Sequence, residues 1–173
     1  IAAQRDRVFC CTITGSTDRA DNPGEPTLWS ASVDALAAGT GVGRSDGGIE
    51  LLGPPELDAA RLFVQSAGNV DQYHGDHRGN CDLSLIADPA QAWNALTVGA
   101  HTELTELPVH PDYEGWTVVA DAGDISPHSR TGVLTGSTWP IKPDICMEGG
   151  NVLTDGAGTF ETNHPLVSLR STH

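Results

Sequence analysis

Lysine and long apolar runs are what this sequence has least of. Lys142 is its single lysine beside eight arginines, and the formal net charge is −14. A chain this acidic repels nucleic acids and anionic membranes, so neither is expected as a partner. No stretch approaches the roughly 18 consecutive apolar residues that a membrane span needs, and no signal-peptide pattern opens the sequence.

The cysteines are too few for a dense disulfide framework. Four are present: Cys10, Cys11, Cys81 and Cys146. The adjacent Cys10 and Cys11 would point to opposite faces of a strand, so they are poor partners for each other. We therefore expect buried free thiols in a reducing compartment, which predicts a cytoplasmic location.

The length of 173 residues suits one domain, and an apolar fraction of 38% is lean but sufficient for a core. The 20 glycines and 11 prolines indicate many loops. The sequence starts at Ile1 rather than at Met, so we expect it to be a piece of a longer protein.

Three apolar runs indicate buried strands, and one amphipathic stretch indicates a helix. In chain order they are strand 7–14, helix 27–38, strand 61–67 and strand 95–100. Thr27 is the expected cap of the helix and Gly39 its expected end. This order favours an α/β domain with a parallel sheet.

The intervals between these elements are long in two places, 39–57 and 71–88, which we interpret as loop insertions. One helical turn is predicted near 89–93. Beyond residue 101 the pattern predicts only short strands, near 117–120, 141–147, 151–154 and 166–169.

The strand at 61–67 runs through small residues and stops at Asn69. In open α/β sheets, ligands bind at the carboxyl ends of the strands, so residues that directly follow a strand are often functional. The amide of Asn69 offers two N–H donors, which suits stabilisation of a developing negative charge. Gly68-Asn69 is equally typical of an ordinary turn, because both residue types tolerate positive φ.

The loop after Asn69 holds a compact group of candidate zinc ligands, His74, His77 and Cys81. Neighbouring aspartates could instead serve a hard cation such as Ca²⁺. Histidines in loops are also commonly just hydrated, and no fourth zinc ligand is evident. The leading expectation is therefore a protein without a cofactor.

Four motifs in order carry a family resemblance. They are SAGN at 66–69, TVGA at 97–100, SPHSRTG at 126–132 and KPDICMEGGN at 142–151. Upstream, RVFCCTITG at 7–15 and LWSASVDALA at 28–37 are similar to a groove-lining strand and the helix after it. Together they resemble the subtilisin-like serine peptidases, or subtilases. The resemblance implies a subtilisin-like parallel sheet flanked by helices, incomplete at both ends.

In that family an asparagine at a strand end donates to the oxyanion that forms during attack on a peptide carbonyl. The resemblance carries this role to Asn69. It also implies that two short segments form opposite walls of the pocket for the residue before the scissile bond. These segments are Ser66, Ala67 and Gly68 on one side, and Thr12, Ile13 and Thr14 on the other.

The resemblance implies a segment of a bacterial serine endopeptidase that acts on peptides or proteins. The family's catalytic Asp and His motifs precede the matching region and its Gly-Thr-Ser motif follows it, and none of the three is in this sequence. His74-Gly75 is similar to the family's His-Gly pair but falls after Asn69, in the wrong order. We therefore expect the 173-residue chain to be inactive by itself.

Two other interpretations stay open from the sequence. One is a non-catalytic interaction module on the same fold, and the other is a metal-binding domain built on the His/Cys group.

A parallel sheet without its outer strands would also leave open edges, which predicts self-association through them.

Overall fold

The computed structural model of the protein describes residues 9–11, 26–131 and 141–170, the first three by their backbone alone. Ten strands follow one another in these ranges: β1 (Phe9–Cys11), β2 (Val42–Ser45), β3 (Gly48–Leu51), β4 (Phe63–Ser66), β5 (Ala95–Thr102), β6 (Thr117–Val118), β7 (Asp124–Ile125), β8 (Ile145–Glu148), β9 (Leu153–Thr154) and β10 (Phe160–Glu161). The helices are α1 (Leu28–Ala37) and α2 (His77–Leu83), with single 3₁₀ turns at Leu57–Ala59 and Pro111–Tyr113.

The main sheet is built on parallel strands, which confirms the predicted α/β class. β4 lies between β1 and β5 and is parallel to both. β8 is parallel to β5 on its other edge, because Val98 pairs with Ser66 of β4 and with Ile145 of β8. Short β7 pairs antiparallel with the last two residues of β5. The carboxyl ends of β4, β5 and β8 therefore meet at one side of the sheet.

Helix α1 begins and ends where the sequence predicts. The hydroxyl of Thr27 accepts from the amide of Trp29 at 3.1 Å, and Gly39 follows the last turn with φ of 81°. The buried face of the helix packs on the start of the two central strands. This core cluster consists of Val33, Ala37, Phe63, Ala92 and Ala95.

Neither predicted loop insertion is only a loop. Residues 39–57 contain the antiparallel hairpin β2–β3, which turns through Asp46 and Gly47. Asp-Gly is a strong hairpin signal, but the flanking glycine-rich stretch hides the alternation of strands. Residues 71–88 contain α2, whose first turn is capped by the carboxylate of Asp76 through the amide of Arg78.

Beyond residue 88 the chain differs from the prediction in several places. Residues 166–169 form no strand, and residues 89–93 form turns instead of a helical turn. A small antiparallel sheet of β6, β9 and β10 is present, in which only β6 and β9 lie in predicted strands. In the described part of the chain, neither helix is long and apolar enough to cross a membrane.

The expectation of buried free thiols holds for one of the two cysteines whose side chains are described. Cys81 is fully buried and free, whereas Cys146 is free and exposed on β8. Cys10 and Cys11 lie in β1, for which only the backbone is described.

Lys142 is buried beside the start of β8. Its Nζ donates to the carbonyl oxygen of Ala95 and to Oδ2 of Asp144, each at 2.7 Å. The same carboxylate oxygen accepts from the amide of Thr97 at 2.7 Å. Only 7% of Lys142 is exposed. This charge pair therefore ties β8 to β5 at the end of the sheet opposite Asn69.

We predict that Lys142→Met lowers the free energy of unfolding by about 2 kcal/mol, because Asp144 then keeps a partly buried charge without its partner. The double variant Lys142→Met/Asp144→Asn should recover much of the loss, since the amide oxygen of an asparagine still accepts from Thr97. Denaturant unfolding of the single and double variants measures both values. A double variant less stable than Lys142→Met would contradict the pairing.

Candidate functional site

Asn69 lies three residues beyond β4, at the carboxyl end of an interior parallel strand. The amide of Ala67 still donates to the carbonyl of Val98 at 2.9 Å, so pairing with β5 extends past the strand. Asn69 itself forms an antiparallel bridge with Ser129, and its side chain is exposed. Within the described ranges the carboxamide makes no hydrogen bond.

Asn69 lines a groove of about 240 Å³. Gly149 and Gly150, which follow β8, line it together with parts of the chain between Thr162 and Leu169. Tyr73 and His128 are also at its surface. The groove thus gathers segments from the ends of β4 and β8, as expected where parallel strands end together.

Asn151 fixes these groove segments from beneath. Its fully buried side chain accepts from the amides of Ala120 and Val152, and it donates to the carbonyls of Leu104 and Ala120. Its own amide donates to the carbonyl of Val167 at 2.7 Å. The sequence analysis did not single out Asn151, although Gly150-Asn151 after a strand repeats the pattern of Gly68-Asn69.

In the predicted pocket wall at 66–68, the backbone rather than the side chains would face a ligand at two of the three positions. Ala67 is 2% exposed and packs into a core cluster with Ile86 and Ala90, so only its backbone can face a ligand. Gly68 has φ of 101°, which favours glycine, and a Cβ there would lie 2.8 Å from Cβ of Ala87. Ser66 is half-buried. The opposite wall, Thr12, Ile13 and Thr14, lies outside the described residues.

Tyr73 and His128 form a hydrogen-bonded pair in the groove. Tyr73 Oη lies 3.0 Å from His128 Nδ1, and His128 Nε2 lies 3.4 Å from the carbonyl oxygen of Asn151. Burial lowers the pKa of His128, and burial together with the nearby charge of Asp71 raises the pKa of Tyr73. A neutral His128 therefore accepts from Tyr73 and donates to Asn151.

The candidate metal ligands do not converge. His74 packs edge-on against Phe160, with ring centroids 4.7 Å apart. His77 Nε2 lies 3.3 Å from Oδ2 of Asp124, at ion-pair distance but without a hydrogen-bond partner. Buried Cys81 has a pKa raised to about 11 by desolvation, which disfavours the thiolate that zinc needs. Within the described ranges no three His, Cys, Asp or Glu side chains form a metal-binding group.

We predict that His128 makes the protein less stable in acid. Its pKa is lower in the folded than in the unfolded chain, so unfolding takes up a proton below about pH 6.5. Stability should fall there by at most about 1.4 kcal/mol per pH unit from this group, and His128→Phe should remove that slope.

Denaturant midpoints between pH 5 and pH 7 test this expectation. His110→Phe, which replaces an exposed histidine, is the control and should keep the slope of the parent. An unchanged slope in His128→Phe would show that other groups govern the acid response.

Comparison with known proteins gives one match. The model of the subtilase family matches residues 1–173, the whole chain. No curated protein and no solved structure matches the chain. The parallel sheet agrees with this match: SAGN begins at the last residue of β4, TVGA lies within β5, and the two strands are neighbours. The chain therefore belongs to the subtilase family of serine peptidases.

Proposed function

We propose that this chain supplies the oxyanion donor and part of the substrate-binding surface of a serine endopeptidase. The observation that carries the proposal is the carboxamide of Asn69. Asn69 is exposed, its carboxamide makes no hydrogen bond to the described residues, and the residue lines a groove at the carboxyl end of an interior strand. A peptide or protein would lie along that groove.

The chemistry that such a donor serves is acyl transfer. In this family a serine attacks the peptide carbonyl, a histidine accepts its proton and an aspartate orients the histidine. These three groups come from motifs that are not in this sequence. Negative charge then develops on the carbonyl oxygen, and an N–H of Asn69 donates to it.

Segments beside the groove would form the walls of the substrate pocket. One wall is assigned to residues 66–68, which precede the groove residue Asn69, and there Ala67 turns its side chain into the core and Gly68 has none. Glycines at 149 and 150 likewise leave backbone close to the groove. The proposal assigns Thr12, Ile13 and Thr14 to the other wall, as the family resemblance implies.

We predict that Asn69→Ala in the full-length protein lowers kcat by about 10²–10³ and changes KM little, because the donor acts on the transition state. That magnitude comes from a subtilisin, a member of the same family. Steady-state hydrolysis of an unspecific peptide substrate measures it. Asn94→Ala is the matched control, since Asn94 is exposed and precedes β5 at the other end of the sheet. Equal kcat values for Asn69→Ala and the parent would refute the donor role.

We also expect the isolated 173-residue chain not to hydrolyse peptides. No Asp, His or Ser motif of the family triad is in its sequence. Incubation with the same substrate and with a serine-directed covalent inhibitor tests this, because turnover or labelling requires an activated serine. Inhibitor-sensitive turnover by the isolated chain would overturn the assignment. Absence of activity from the full-length protein would instead favour a non-catalytic interaction module.

A further inference from the structure

Arg130 joins three segments of chain around Asn69. Its Nε donates to the carbonyl oxygen of Asn69 at 2.8 Å, and its Nη1 donates to the carbonyl oxygen of Leu85 at 2.9 Å. Its aliphatic stem covers Gly68, where a Cβ would lie 2.9 Å from Cδ of Arg130. One side chain thus links the end of β4, the connection between α2 and β5, and the turn after β7.

The backbone of Asn69 is held on both sides by this turn. The amide of Val70 donates to the carbonyl of His128 at 2.9 Å, and the Asn69 carbonyl accepts from Arg130. The turn itself is fixed to β5, because the amide of Ala100 donates to Oγ of Ser129 at 2.9 Å. The Asn69 carboxamide has no partner of its own among the described residues. The backbone therefore sets where the Cα–Cβ bond of Asn69 lies and which positions its carboxamide can reach.

An arginine suits this position better than a lysine. The two carbonyl groups belong to segments 16 residues apart in sequence, since Leu85 minus Asn69 is 16. A planar guanidinium holds Nε–H and Nη1–H in fixed directions on different edges and can bind both carbonyls at once, whereas an ammonium is a single point on a flexible stem. The position of Arg130 also depends on the neighbouring Gly68, because a side chain at position 68 would displace the side chain of the arginine.

We propose that Arg130 is a positioning residue for the oxyanion donor. It clamps the backbone of Asn69 so that the carboxamide is aimed before substrate arrives. The proposal rests on the proposed function of Asn69. A positioning role differs from a general structural role in one respect. Arg130 should affect turnover only when the Asn69 carboxamide is present.

The test is a double-mutant cycle in the full-length protein, with Asn69→Ala, Arg130→Met and the double variant. We expect Arg130→Met to lower kcat about tenfold with KM within about twofold of the parent, because a misaimed donor weakens transition-state binding. In the Asn69→Ala background the same substitution should cost less than about twofold, because no carboxamide is left to aim.

Two further variants separate positioning from charge and from folding. Arg130→Lys keeps the charge but loses the planar guanidinium, and its kcat should stay within about threefold of that of Arg130→Met. Arg78→Met removes an exposed arginine that binds Asp124, and kcat should match the parent. Thermal midpoints of all variants are recorded, and the cycle is repeated with Arg130→Gln, which retains one donor group.

Each outcome decides one question. A loss from Arg130→Met that is equally large in both backgrounds overturns the inference, as does full kcat in Arg130→Lys. A normal kcat in Asn69→Ala refutes the proposed function itself, which is a separate result. A loss confined to the background that retains Asn69 supports the positioning role.

Discussion

The parallel pairing of β4 with β5 is the constraint on which the rest of the structure depends. Its register sets Phe63 opposite Ala95 and Ser66 opposite Val98, and the pairing continues through the amide of Ala67. Side chains alternate faces along a strand, so a shift of one residue would turn Ala67 out of the core. The position of Asn69 beyond the strand is fixed by the same register.

Buried polar contacts, more than a large apolar core, organise the segments around the groove. In the described part of the chain, two buried core clusters consist mainly of alanine, with Val33, Phe63 and Ile86 as their larger members. Asn151 satisfies four backbone groups with its side chain alone. Such contacts are costly to leave unmade in a buried place, so they specify one arrangement of irregular chain where apolar packing would allow several.

Three cations of this acidic chain join segments of the described structure. Lys142 is buried against a backbone carbonyl and Asp144, and Arg78 binds the carboxylate of Asp124 in a bidentate manner. Arg130 uses its donors on two carbonyls instead of a carboxylate. A surplus of negative charge leaves cations scarce, and in these three cases each cation joins segments that are distant in sequence.

Local sequence patterns predicted the α/β class, the helix from Thr27 to Gly39, and Asn69 as the residue that follows a strand, because periodicity, caps and glycine act locally. They did not reveal the hairpin at 42–51 or helix α2, since glycine and polar residues mask their periodicity. The folded structure was needed to show that His74, His77 and Cys81 form no common metal-binding group and that Arg130 reaches Asn69. Those relations depend on how separate segments pack against the sheet, and no local pattern records them.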